Sequence, residues 1–318
     1  MLKRLRDLGL GVHVIGLFMG AVCYADDVLL VAPTRSAMQR MLWEVEMFAK
    51  ESNIEFSTDP IPGKSKTKCI FVVGDKKNLT KPAPLMLCGR ELPYVSQVDH
   101  LGNILTEQGT MDQDAVVKRA KFIQSSVEVR ETFKFAAPEE ILRSLKTYCS
   151  SFYGSCLWDL GGEKAKQLYN SWNTAVKLAW GLPQYTRTYI LQNVLTCGYM
   201  SAKVDILCRY VKFFDGLRSS ASFEVQVLSR YVARDMQSIT GKNIWLIQEL
   251  TGLNPLIDCH NKVKMALHSW EQVSTPEADR WRLPYLVNLL RQRRIVHNLA
   301  LTEEEDMVTE LIDSLVKN

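Results

Sequence analysis

The residues of this chain best suited to chemistry are two adjacent acids, Asp26 and Asp27. They lie in residues 19–32, where short runs rich in Val and Leu flank them on both sides. Apolar runs of that length, bounded by small or acidic residues, predict two strands of a tight hairpin with both acids at its tip. Like charges side by side repel. A divalent cation relieves that repulsion, and Mg²⁺ typically takes one or two carboxylates together with substrate phosphates. Such a pair suits phosphoryl transfer, in which two metals clamp the attacking and leaving oxygens. The competing explanation is local: Asp-Asp is also common in solvated turns, because Asp bonds its own backbone. The flanking elements decide between the two.

Ahead of the acids, residues 2–9 form a short basic amphipathic piece stopped at Gly9, and residues 12–18 alternate loosely as a strand does. After them, Met38, Met41, Leu42, Val45, Phe48 and Ala49 recur at helical spacing, with Thr34 or Ser36 as the cap and Asn53 as the end. A short strand over residues 54–56 and a Pro-Gly loop lead to the lysine run 64–68 and an apolar strand over 69–73. Residues 84–93 predict two strands around Cys88-Gly89-Arg90, and residues 94–105 a further strand segment containing Leu101-Gly102. From Asp112 the pattern turns helical. Val116, Val117, Ala120, Ile123 and Val127 mark the buried stripe of a long helix, with Lys118, Arg119 and Lys121 outward. Pro138 opens the next helix. Aromatic and basic residues interleave from Arg143 to Arg187, a pattern more often core than base-stacking platform. Helices continue from residue 200, with breaks near Gly216, Gly241, Pro255, Pro276 and Pro284, a basic cluster at Arg291, Arg293 and Arg294, and an acidic one from Glu303 to Asp306.

The 318 residues suffice for a substantial core and two or three subdomains. A net charge of +4 permits a nucleic-acid partner without arguing for one. No apolar run is long and unbroken enough to span a membrane. The eight cysteines contain no Cys-x-x-Cys pair and sit mostly in apolar segments, which predicts buried free thiols in an intracellular, reducing compartment, cytoplasm or nucleus. Cys259-His260 with His268 matches no zinc spacing. Residues 1–25 also fit a secretory signal, with Lys3, Arg4 and Arg6 ahead of an apolar core and Cys23-Tyr24-Ala25 as the cleavage site. Asp7, His13 and the glycines at 9, 11, 16 and 20 weigh against that alternative.

Tyr24-Ala25-Asp26-Asp27 between apolar strands resembles the metal-binding hairpin of the reverse transcriptase palm, and residues 16–34 as a whole look like the version in non-LTR retrotransposons. The resemblance implies an α+β fold: an incomplete palm (a small antiparallel sheet with a helix) over residues 1–108, a helical thumb over 109–200, and a helical extension of unassigned role over 201–318. It implies that Asp26 and Asp27 are catalytic metal ligands for Mg²⁺. Lys66, or alternatively Lys64, corresponds to a lysine near the incoming nucleotide's phosphates, and Leu101-Gly102 is similar to the primer grip. The parent's partners are an RNA template and a DNA primer, with no membrane. A further palm aspartate and the fingers precede this hairpin in the family, so the resemblance implies an N-terminally truncated RNA-directed DNA polymerase with weak or absent Mg²⁺ binding, inactive alone. A second class stays open: a non-enzymatic helical protein, binding nucleic acid or another partner, that retains a palm remnant.

Overall fold

The computed structural model describes residues 1–58, 65–73, 80–186, 188, 191 and 201–273. The fold is mixed α+β and forms two compact units, Met1–Asp114 and Ala115–Asn318.

The first unit gathers short hairpins around one helix. That helix, α2 (Arg35–Glu51), starts where expected: Thr34 is extended, and its Oγ1 accepts from the Ala37 amide at 3.1 Å. It ends at Ser52, and Asn53 then takes a left-handed φ of 54°. Two apolar clusters meet on α2. Met41 and Val45 pack with Leu5 of α1 (Leu2–Asp7) and Leu10, while Leu42 packs with Leu85, Leu87 and Leu92.

The small antiparallel sheet expected from the sequence is instead four separate two-stranded hairpins among the described residues. They pair β1 (His13–Val14) with β2 (Leu17–Phe18), β3 (Ala21–Tyr24) with β4 (Asp27–Leu30), β5 (Leu85–Leu87) with β6 (Arg90–Leu92), and β7 (Gln97–His100) with β8 (Asn103–Thr106). Each turns in two residues. At Ile15-Gly16, Cys88-Gly89 and Leu101-Gly102 both loop residues have positive φ, the type I′ pattern that matches strand twist. Neither residues 54–56 nor 69–73 form the predicted strands. The latter segment makes a single parallel bridge, Cys69 to Tyr94, and Val73 donates its amide to Glu107 O at 3.0 Å. Along β5 a side chain replaces a neighbouring strand: Gln39 donates Nε2 to Met86 O and accepts the Met86 amide, both at 2.8 Å. That blunts an otherwise open sheet edge.

The second unit is helical. Its described helices are α3 (Asp112–Thr132, whose first turn belongs to the first unit), α4 (Pro138–Ser144, continued by a π-helical turn Leu145–Cys149), α5 (Glu163–Ala179), α6 (Ala202–Arg218), α7 (Phe223–Val232), α8 (Ile239–Thr251) and α9 (His260–Val273). Phe122, Phe152 and Trp172 form an aromatic core, with ring centroids 5.7 Å apart between Phe122 and Trp172. The fully buried Asn243 of α8 accepts the Leu160 amide at 2.9 Å and donates to Trp158 O at 2.8 Å, fastening the segment before α5. At Gly241, a Cβ would lie 2.0 Å from Asp235 O, so only glycine lets α8 start against that carbonyl.

The stripe predicted for α3 is wrong: Ala115, Phe122 and Val129 are its buried line, seven residues apart, while Ile123 is 40% and Val127 44% exposed. Lys118 and Arg119 are half-buried rather than outward. Nor are the thiols mainly buried. Cys23, Cys88 and Cys259 are exposed, Cys149 and Cys208 are buried, and all of the described cysteines are free. Cys197 and the 291–294 and 303–306 clusters lie outside the described residues.

Candidate functional site

The hairpin of β3 and β4 carries the acids at its tip. Tyr24 pairs with Asp27, Cys23 with Val28, Val22 with Leu29 and Ala21 with Leu30, leaving Ala25-Asp26 as the turn. Strand alternation puts Ala21, Cys23, Val28 and Leu30 on one face and Val22, Tyr24, Asp27 and Leu29 on the other. Ala21 and Leu30 pack against the Met41–Val45 cluster, so the first face roots the hairpin on α2. Tyr24 and Asp27 therefore stand on the solvent side. Tyr24 is 67% exposed, and Asp26 and Asp27 are both exposed.

Backbone crowding at the root explains the glycines. A Cβ on Gly11 would meet Gly20 Cα at 2.7 Å. Around that contact Val12 donates to Val31 O at 3.1 Å and Val31 to Gly20 O at 2.8 Å. Residues 8–22, which the signal-peptide alternative required to be one apolar helix, are thus turns and short strands here. No helix of the described residues is long and apolar enough to cross a membrane.

The turn itself is strained. Ala25 has a φ of 52°, a region that L residues other than Gly and Asn enter at a cost. Asp26 does not share the positive φ, so the sign pattern is that of a type II′ turn, which favours glycine first. The turn aims Asp26 off the end of the hairpin beside the strand-borne Asp27.

Of the other candidates, Lys66 is exposed, in a loop pinned by Ser65, whose Oγ donates to Ser57 O at 3.0 Å and Thr67 O at 2.8 Å. No ion pair or hydrogen bond joins it to Asp26 or Asp27 among the described residues. Lys64 lies outside the described residues. Leu101-Gly102 is not the interior of a strand but the exposed turn between β7 and β8, and Gly102 at φ 75° serves that turn. In the second unit the interleaved aromatics divide. Trp158, Tyr169 and Trp172 are core; Tyr148 and Tyr153 are exposed, with the Lys118 ammonium 5.6 Å from the Tyr153 ring centre.

Asp26 and Asp27 are the residues here that could hold a divalent cation, and such a cation takes one or two carboxylates only when other oxygens complete its shell. Among the described residues no third acid, His or Cys joins them as a metal-holding cluster. A groove between α3, α4 and α5, lined by Ile123, Val127 and Leu178 among others, escaped sequence reasoning, because Ile123 and Val127 read as buried. Comparison of the chain with protein-family models, curated proteins and solved structures found no match.

Proposed function

We propose that the chain derives from a non-LTR retrotransposon reverse transcriptase, comprising the C-terminal part of its palm and its thumb, and does not polymerise alone. The observation that supports this reading is the two-residue turn of β3 and β4, which exposes Asp26 and Asp27 together at the tip of a hairpin rooted on α2. In the parent, Mg²⁺ held there would neutralise charge developing on the transferred phosphoryl group. In this chain, Asp26 and Asp27 would supply carboxylate oxygens to one metal, and Lys66 a positive charge toward the leaving phosphates. Exposed lysines and arginines of the helical unit would track the sugar-phosphate backbone without reading sequence. Two carboxylates on an open hairpin hold Mg²⁺ weakly, which is the reason for proposing inactivity.

The test combines two measurements on the purified 318-residue chain. Filter binding of a primer–template duplex should show affinity that falls steeply with salt, as counterion release requires. Primer extension in Mg²⁺ should give no product that depends on Asp26. Extension lost in Asp26→Asn would overturn the proposed inactivity, and absence of salt-dependent binding would overturn the polymerase derivation in favour of an unrelated helical scaffold.

A further inference from the structure

The second unit holds a small cavity, about 220 Å³, that the polymerase reading does not use. Lys146 and Ser150 line it from the π-helical turn and the residue after it, Phe152 and Trp172 from the aromatic core, and Asp205 and Arg209 from α6. Three features of that wall are costly to build. A π-helical turn is rare and concentrates at functional sites. Phe152 has a φ of 36°, which a bulky residue adopts only when its surroundings force it. Trp172 is 2% exposed, and its Nε1 has no hydrogen-bond acceptor among the described residues, a deficit that a bound acceptor would make good. The charged groups differ in how they are engaged. Arg209 donates Nη1 to Ser151 O and pairs Nη2 with Asp205, both at 2.6 Å, which ties α6 to the segment after the π-helical turn. Lys146 is half-buried, and burial holds its ammonium below the usual lysine value against the pull of Asp205 and Glu271.

The Lys146 ammonium and the Trp172 indole N–H are both donors, so a ligand must bring acceptor oxygens. The lining carries two cations, Lys146 and Arg209, against the one carboxylate of Asp205, which suits a single negative charge and disfavours a doubly charged phosphate ester. The rest of the wall is apolar and largely aromatic. The Phe152 and Trp172 rings meet edge to face, with centroids 6.4 Å apart, and such a corner accepts a flat ring. A dry cavity of about 150 Å³ already holds benzene, so this one has room for one ring and a carboxylate and for little more. We propose that the second unit binds a small aromatic monocarboxylate in the cavity between the π-helical turn, Phe152, Trp172 and α6, with its carboxylate taken by Lys146 and the Trp172 indole N–H. The proposal does not rest on the polymerase reading.

The test titrates sodium benzoate into the full chain, labelled with a nitrogen isotope at its tryptophans, and follows the indole N–H signals by NMR. The signal that Trp172→Phe removes should shift saturably, with a dissociation constant on the order of 1 mM or tighter. Benzamide, which has the ring without the charge, and acetate, which has the charge without the ring, should each bind at least about tenfold more weakly. Lys146→Met should weaken benzoate by about tenfold or more, and Lys242→Met, at an exposed lysine of α8, should leave it unchanged. Ala202→Met, which fills the cavity from α6, should abolish the shift and replaces Lys146→Met if that variant does not fold. No saturable shift, several indoles moving alike, benzamide or acetate binding as well as benzoate, or undiminished binding in either cavity variant would each overturn the proposal.

Discussion

Ala25, at a φ of 52°, holds the first loop position of its hairpin, which Ile15, Cys88 and Leu101 hold at 47–51° in the other described hairpins. Those turns place a glycine next, also at positive φ, whereas the acidic hairpin has no glycine in its turn. A left-handed alanine is disfavoured by about 1–2 kcal/mol, offset in part because glycine is more flexible unfolded. Ala25→Gly should therefore stabilise the first unit by about 0.5–1 kcal/mol, read as a higher urea midpoint with an unchanged slope. Ala25→Val should destabilise it, since a β-branched residue tolerates that region least. An Ala25→Gly chain no more stable than the parent would show that the turn is not strained. The acids at the tip were legible because apolar runs bracket them. The strain was not, since alanine carries no turn signal of its own, and Leu101-Gly102 read as part of a strand segment because Leu-Gly without its partner strand does not announce a type I′ turn.

Helices were legible in proportion to how many independent signals agreed on them. For α2 the Thr34 cap, the apolar period and the Asn53 stop coincide, and the helix lies within two residues of its expected bounds. For α3 the helix was right and its face wrong. Five apolar residues at 116, 117, 120, 123 and 127 outweighed Ala115, Phe122 and Val129, yet burial followed the single large aromatic that could reach Trp172 and Phe152. A period identifies a stripe but not which neighbour covers it. The joint between α8 and the 158–160 segment was invisible in sequence, because one asparagine among apolar residues has no pattern. Its weight is testable. Asn243→Ala removes the acceptor of the Leu160 amide and the donor to Trp158 O at a site with no solvent access. Destabilisation of the second unit by about 2–4 kcal/mol is expected in urea unfolding, and a change under about 0.5 kcal/mol would mean that water replaces the side chain.

Because the chain forms two compact units, its unfolding is expected to resolve into two transitions rather than one, and thiols mark both. Burial pushes the Cys69 thiol of the first unit and the Cys208 thiol of the second up to about 11. In the second unit burial also raises Tyr169 and Tyr210. The sign follows from proton binding. A thiol raised in the folded state stays protonated there while the unfolded chain releases its proton, so the folded state gains nothing from ionisation. Its contribution is intact below the unfolded thiol value, near 9, and is lost as pH rises toward 11. Between pH 8 and pH 10, in reductant, each transition should weaken by on the order of 1–2 kcal/mol from its cysteine, the second somewhat more because the two tyrosines add to it. Burial also raises Cys88 and Tyr94 of the first unit, and Cys69→Ala removes the thiol that is pushed up to about 11 there and leaves the second unit untouched. It should flatten the alkaline dependence of one transition and leave that of the other unchanged. Equal flattening of both would mean that the two units unfold together. If neither flattened, the alkaline loss would come from surface charge rather than from thiols held away from water.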